Sequence, residues 1–201
     1  LLMSLNLFLS MLAFALVASI TPGPVNILSL SSGVQHGFRN TMRHVTGATV
    51  GFTLLLLLIG LGMHELLHTR PWLIQSIRWG GVVFLLYMAI QLARDNGELN
   101  RSNDNKKPSY LRGALMQWLN PKAWLASIAG MGAYAADGDV RLTLQFAAIY
   151  FVVCYASLTV WAYAGVFLRR YFIEPRHLRL FNRAMALLLA ASALYLLFST
   201  D

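Results

Sequence analysis

The chain has 201 residues, of which 57% are hydrophobic and only 12% charged, and its mean hydropathy is +0.57. Soluble domains carry about 25% charged residues, so this composition excludes a soluble globule and predicts one compact membrane domain. The net charge of +8 does not indicate nucleic acid as a partner. Its basic residues sit in short loops between apolar segments, where they suit the anionic headgroups of membrane lipids.

Six apolar segments follow one another along the chain, each long enough for the ~20 residues of a bilayer crossing. They cover residues 4–31, 45–63, 72–93, 113–136, 142–168 and 181–198. We therefore expect an all-α integral membrane protein with six transmembrane helices. Residues 5–19 also resemble the core of a secretory signal, but the basic region that such a signal needs is missing before Arg39.

The first segment is interrupted by the run Thr21-Pro22-Gly23-Pro24, which is followed by Asn26. Two prolines remove two backbone N–H groups from a helix and clash with the preceding turn. Inside a membrane such a break is tolerated only where protein or a water-filled cavity covers the freed polar groups. We therefore expect a break within this segment, placed at a functional position.

The fourth segment contains a comparable break at Asn120-Pro121-Lys122. Two broken segments in corresponding halves indicate the binding site of a transporter. The exposed N–H groups of one half-helix attract anions and the C=O groups of the other attract cations, so facing breaks suit a zwitterionic amino acid. Asn26 and Asn120 add amide donors and acceptors. The alternative is that both breaks only kink the helices to fit the bundle.

Lys122 is the only lysine outside the polar stretch 96–109, and it falls about nine residues into the fourth segment. An ionisable side chain at such a depth is a functional candidate by default. We expect Lys122 to bind a substrate carboxylate or to carry a proton. The alternative is that its ammonium reaches the membrane surface along its flexible stem.

The polar stretch 96–109 predicts a cytoplasmic linker between two membrane repeats, which are residues 1–95 and 110–201. Three segments in each half put the halves in opposite orientations, as in an inverted repeat with a broken first helix. Twelve of the 16 Lys and Arg residues fall in the three loops on one side. The positive-inside rule puts these loops in the cytoplasm and both termini in the periplasm.

Two further patterns concern helix packing and a rival function. Gly47 and Gly51 form a G-x-x-x-G pair that predicts a close helix contact. His64-Glu65-x-x-His68 matches the zinc-protease motif, so an intramembrane metalloprotease is the alternative function. Its position just before Pro71, with no evident third ligand, favours a polar outer loop. We expect no catalytic residues, no metal and no cofactor.

No acidic residue lies in the middle of any apolar segment. A transporter of lysine or arginine would be expected to bury a counter-ion for the side-chain cation. The sequence therefore predicts a neutral substrate. A passive channel would need a continuous polar lining, which none of the six segments shows.

These motifs resemble the LysE/RhtB superfamily of bacterial inner-membrane amino-acid exporters. The resemblance rests on Ile20-Thr21-Pro22-Gly23-Pro24-Val25-Asn26, Gly33, His36-Gly37-Phe38-Arg39, Gly47, Gly51 and Asn120-Pro121-Lys122-Ala123-Trp124-Leu125. It implies export driven by proton antiport, with a transport core made of Pro22, Gly23, Pro24, Asn26, Asn120, Pro121 and Lys122.

Basic-amino-acid exporters of that family tend to carry an aspartate just after the second signature. Here that region reads Trp124-Leu125-Ala126-Ser127 and contains no acid. The resemblance thus implies the neutral branch, whose substrates are homoserine, threonine, leucine, or cysteine and O-acetylserine. The choice among these substrates, and whether the chain forms a homo-oligomer, stays open.

Overall fold

The structure, a computed structural model, describes residues 4–63, 69–94, 108–135, 139–171 and 174–198. These residues form α-helices joined by short connections, and no strand occurs among them. The helices are α1 (Leu5–Ile20), α2 (Pro24–His36), α3 (Phe38–Leu58), α4 (Pro71–Ala93), α5 (Tyr110–Trp118), α6 (Pro121–Tyr134), α7 (Val140–Arg169) and α8 (Pro175–Phe198). A π-helical turn, Ile59–Met63, continues α3.

Both predicted helix breaks are confirmed. The first separates α1 from α2, and the two helices are bent by 58° relative to each other. The second separates α5 from α6 at residues 119–120. In each case a proline is the first residue of the second half-helix, where its missing N–H costs nothing because that group would have no helical acceptor.

The prediction of a loop between the first two apolar segments is wrong. Residues 32–44 are almost entirely helical, because α2 continues to His36 and α3 begins at Phe38. Gly37 alone makes the turn, with a φ of 76° that favours glycine. Likewise α8 begins at Pro175, ahead of the predicted start at residue 181. Hydropathy marks the part of a helix that lies in lipid, whereas the helix itself continues into the polar interface.

The lengths and surfaces of the helices are those of a multi-pass membrane protein. Within the described part of the chain, Phe38–Gly62 and Val140–Arg169 are each long and apolar enough to cross a bilayer, with 25 and 30 residues. The bent pair α1 and α2 passes the same test when taken as one span. Large apolar side chains such as Val152 and Leu187 stay more than half exposed, as suits contact with lipid.

Glycines bring the helices into close contact at two crossings. α5 packs against α3, and a Cβ on Gly47 would lie 2.0 Å from the backbone oxygen of Tyr110. The close approach predicted for Gly47 and Gly51 is therefore confirmed. At the second crossing α2 packs against α7, and a Cβ on Gly165 would lie 2.0 Å from the Leu30 oxygen. α4 packs mainly against α8, and α3 and α7 also contact each other.

Candidate functional site

Side chains from other parts of the fold satisfy the last carbonyl groups of α1, which the first break deprives of helical partners. Three donors reach three successive carbonyl oxygens. These are Asn26 Nδ2 to Ser19 O at 2.8 Å, Trp161 Nε1 to Ile20 O at 3.1 Å, and Lys122 Nζ to Thr21 O at 2.7 Å. The donors come from α2, α7 and α6, so the end of α1 is held by three different helices.

The N-terminus of α2 is less completely satisfied than the end of α1. Its N-cap residue is Gly23, which has no side chain to accept a hydrogen bond, and Pro24 follows at the first helical position. The backbone N–H groups of Val25 and Asn26 therefore lie in the first turn, where no helical acceptor exists. Both residues line a small cavity at the break. This helix end presents a partial positive charge to that cavity.

The second break, in contrast, caps itself. Asn120 is the N-cap of α6, and its Oδ1 accepts from the backbone N–H of Lys122 at 3.1 Å. Its Nδ2 donates to Gln117 Oε1 at 3.4 Å. On the other side of the break, Trp124 Nε1 donates to the Trp118 oxygen at 2.7 Å. The breaks thus differ, since only the first leaves a helix N-terminus without a side-chain cap.

Lys122 joins the two breaks. Its ammonium donates to the carbonyl of Thr21, which lies 101 residues earlier in the chain. Its side chain also lies against Gly23, because a Cβ there would be 3.1 Å from Lys122 Cδ and 3.2 Å from Nζ. The side chain is half-buried and lines the cavity with Asn26 and Asn120. The fold therefore brings together the three polar residues that the sequence singled out.

The cavity between the breaks has a volume of about 30 Å³. A water molecule needs about 10–15 Å³ measured in this way, so the space has room for water and is too small for an amino acid. Sequence reasoning missed several lining residues: Ser19, Gln117, Tyr150 and Cys154. Gln117 was detectable as a polar residue three positions before Asn120. Tyr150 and Cys154 lie in the predominantly apolar α7, whose sequence does not show that these two residues turn inward.

The remaining predicted site residues shape the breaks without lining the cavity. Pro22 is exposed between α1 and α2, whereas Gly23 and Pro24 are buried at the start of α2. Pro121 is buried and packs against α4, where a Cβ on Gly81 would lie 2.7 Å from its Cγ. The zinc-protease motif at residues 64–68 lies outside the described residues, as does most of the polar linker.

Apolar helices around two facing half-helix breaks define a multi-pass membrane protein of the transporter class. Residues 16–200 match the family model for the LysE type translocator, and the chain belongs to this family. It is accordingly a transporter and not an enzyme. No solved structure matches the chain.

Several curated relatives share the name cysteine/O-acetylserine efflux protein. They include the proteins of Escherichia coli strain K12, Escherichia coli O9:H4 strain HS and Shigella flexneri. Each is 26% identical to this chain over 183 residues, which cover 90% of this chain and 92% of the relative. The match therefore includes both breaks and nearly the whole of each protein.

Proposed function

We propose that the protein is a secondary transporter that exports small neutral amino acids or their derivatives, and not cationic ones, across the bacterial inner membrane. The observation that carries this proposal is the contact of Lys122 Nζ with the Thr21 carbonyl, which joins two half-helix breaks around one cavity. The names of the curated relatives support cysteine and O-acetylserine as the first substrates to test. Proton antiport is the proposed mode of coupling.

The packing of the helices supports two inverted repeats of three crossings each. α4 and α8, with 23 and 24 residues, are long enough for a bilayer crossing, as are α5 and α6 together. The first broken segment packs against α7, and α5 of the second packs against α3. Exchanging the two halves turns one of these contacts into the other and leaves the α4–α8 and α3–α7 contacts unchanged. A two-fold axis in the membrane plane accounts for this pattern.

The substrate carboxylate is best accommodated between α2 and Lys122. The first-turn N–H groups of Val25 and Asn26 carry the positive end of the helix dipole, and the Lys122 ammonium lies beside Gly23. An ammonium has three donors, so Lys122 can bind a carboxylate before it releases the Thr21 carbonyl. Carbonyl oxygens of Asn26 and Gln117, which line the same cavity, are the proposed acceptors for the substrate amine.

The absence of carboxylates supports a neutral substrate. None of the helices α1–α8 contains Asp or Glu. A second cationic group on the substrate would therefore enter the bundle without a counter-charge, which is costly in a low-dielectric environment. Amino acids with short uncharged side chains avoid this cost.

The proposed orientation places the basic ends of the helices in the cytoplasm. Arg39, Arg94, Arg112 and Arg169 all lie at the end of the bundle where α2 joins α3 and α7 approaches α8, here called the basic face. The positive-inside rule assigns this face to the cytoplasm and both termini to the periplasm. Transport then requires the narrow cavity at the breaks to widen toward each face in turn.

Counterflow in proteoliposomes tests the proposal. Vesicles loaded with an unlabelled neutral amino acid take up the labelled one above equilibrium only if the protein is a carrier, and a pH gradient tests proton coupling. We expect Lys122→Ala to abolish counterflow and Lys107→Ala, in the polar linker, to leave it unchanged. Movement that never exceeds equilibrium would indicate a channel, and normal counterflow by Lys122→Ala would remove Lys122 from the site.

A further inference from the structure

A second and larger cavity lies between the breaks and the basic face. Its volume is about 370 Å³, within the range of about 300–1,000 Å³ that is typical of small-molecule sites. α2, α3, α4 and α5 all contribute to its wall. It is next to the cavity at the breaks, because its lining residue Leu28 follows Asn26 on α2 and its lining residue Met116 precedes Gln117 on α5.

His44 is an unusual member of this lining. It lies on α3 and is only 6% exposed, and within the described part of the chain its Nε2 is buried without a hydrogen-bond partner. Buried polar atoms are nearly always hydrogen-bonded, so an exception calls for an explanation such as a ligand. The neighbouring amides are engaged: Gln35 donates to Ser31 Oγ at 3.0 Å and Gln91 to the Tyr87 hydroxyl at 3.0 Å.

The rest of the lining matches the chemistry of a small amino acid. Arg112 adds a positive charge on the side of the basic face, which favours a carboxylate. Phe84, Met88 and Met116 provide an apolar and partly polarisable wall, which suits a short aliphatic, thiol or acetyl group. A purely lipid-filled groove would explain the apolar wall but would leave the buried imidazole nitrogen unsatisfied.

We propose that this cavity is a loading site for the transported amino acid, in which the His44 imidazole turns its buried Nε2 toward the cavity and forms a hydrogen bond with the substrate before the substrate reaches the breaks. The inference rests on the proposed function, since it assigns an entry position to the same substrate. The two cavities then have different tasks. The larger one admits the substrate from the basic face, and the smaller one, with Lys122, binds it during the change of access.

Transport measured separately from the two faces tests the loading site. Proteoliposomes of defined orientation present labelled cysteine or O-acetylserine either to the basic face or to the opposite one. We expect His44→Leu to raise the half-saturating concentration about tenfold from the basic face, as fits a lost hydrogen bond to a charged group, and less than about twofold from the other. His44→Gln, which keeps a donor and an acceptor, restores much of the loss.

Two comparisons separate a loading site from a general defect. Entry from the opposite face is an internal control for folding, because the same His44→Leu molecules are used in both assays. His177→Leu, at an exposed histidine of α8, should change neither value. Equal changes from both faces, or no change from either, would overturn the loading site while wild-type counterflow upholds the transporter. A folded wild type that moves no amino acid would overturn both proposals.

Discussion

Gly23→Ala is the substitution that best separates the site from the fold. Gly23 has φ −157° and ψ 177°, an extended conformation that alanine adopts without strain. The added Cβ would lie 3.1 Å from Lys122 Cδ, 3.2 Å from Lys122 Nζ and 3.6 Å from Asn26 Oδ1. It therefore enters the space between the two polar side chains proposed to bind the substrate, and its three nearest neighbours are all side-chain atoms.

The geometry gives a small effect on stability and a large one on transport. The contacts at 3.1 and 3.2 Å involve the far end of a flexible lysine, which can move by a few tenths of an ångström. Replacing a glycine N-cap by alanine and tightening one contact together cost about 1–2 kcal/mol. A carboxylate that loses a charged hydrogen bond at α2 or Lys122 loses about 1.5–3 kcal/mol, which corresponds to about 10- to 100-fold in affinity.

Counterflow and thermal unfolding in detergent measure these two effects on the same preparation. Gly132→Ala in α6 is the matched control, because a Cβ there meets nothing within 4 Å and alanine favours a helix. We expect near-normal unfolding temperatures for both variants and impaired transport only for Gly23→Ala. A Gly23→Ala protein with wild-type half-saturation would refute the carboxylate position between α2 and Lys122.

Two other predictions concern the crossing of α3 and α5 and the cysteine at the cavity. In Gly47→Ala the new Cβ would lie 2.0 Å from the backbone oxygen of Tyr110, so α3 and α5 must separate. We expect the free energy of unfolding to fall by about 3 kcal/mol or more, seen as a lower unfolding temperature. An unchanged unfolding temperature would contradict the close crossing. Cys154 is the only cysteine and lines the cavity at the breaks with 3% exposure. Maleimide should label it slowly in the folded protein and more slowly with saturating substrate; substrate that leaves the rate unchanged would place binding elsewhere.

The positions of the breaks could be predicted from the sequence because proline acts locally. Pro24 and Pro121 each lack the N–H that a continuing helix requires, and each begins a half-helix in the structure. The prominence of Lys122 was predictable for a similar reason, since an ammonium in an apolar segment needs a partner wherever the segment packs. Its partner, the carbonyl of Thr21, is a backbone group, so it cannot be recognised from the residue types in the sequence.

The rest of the site depends on how the helices are rotated and paired. α7 is apolar around most of its circumference, so its sequence does not show that Tyr150 and Cys154 face the cavity. Trp161 and His44 were equally hidden, because an indole that donates to a carbonyl and a buried imidazole look like ordinary members of apolar helices. The helical state of residues 32–44 was missed because their polarity suggested a loop, whereas the turn needs only Gly37.

The contact between Lys122 and Thr21 also indicates what must change during transport. It joins the two breaks beside a cavity of about 30 Å³, while a cavity of about 370 Å³ lies nearer the basic face. A substrate carboxylate offers the ammonium a charged acceptor in place of a neutral carbonyl, and charged hydrogen bonds are roughly twice as strong. In the proposed mechanism, binding therefore favours the loosening of the contact that holds α1 against α6. Because a ligand shifts an equilibrium only through its differential affinity, this exchange of partners is where the substrate can drive the change of access.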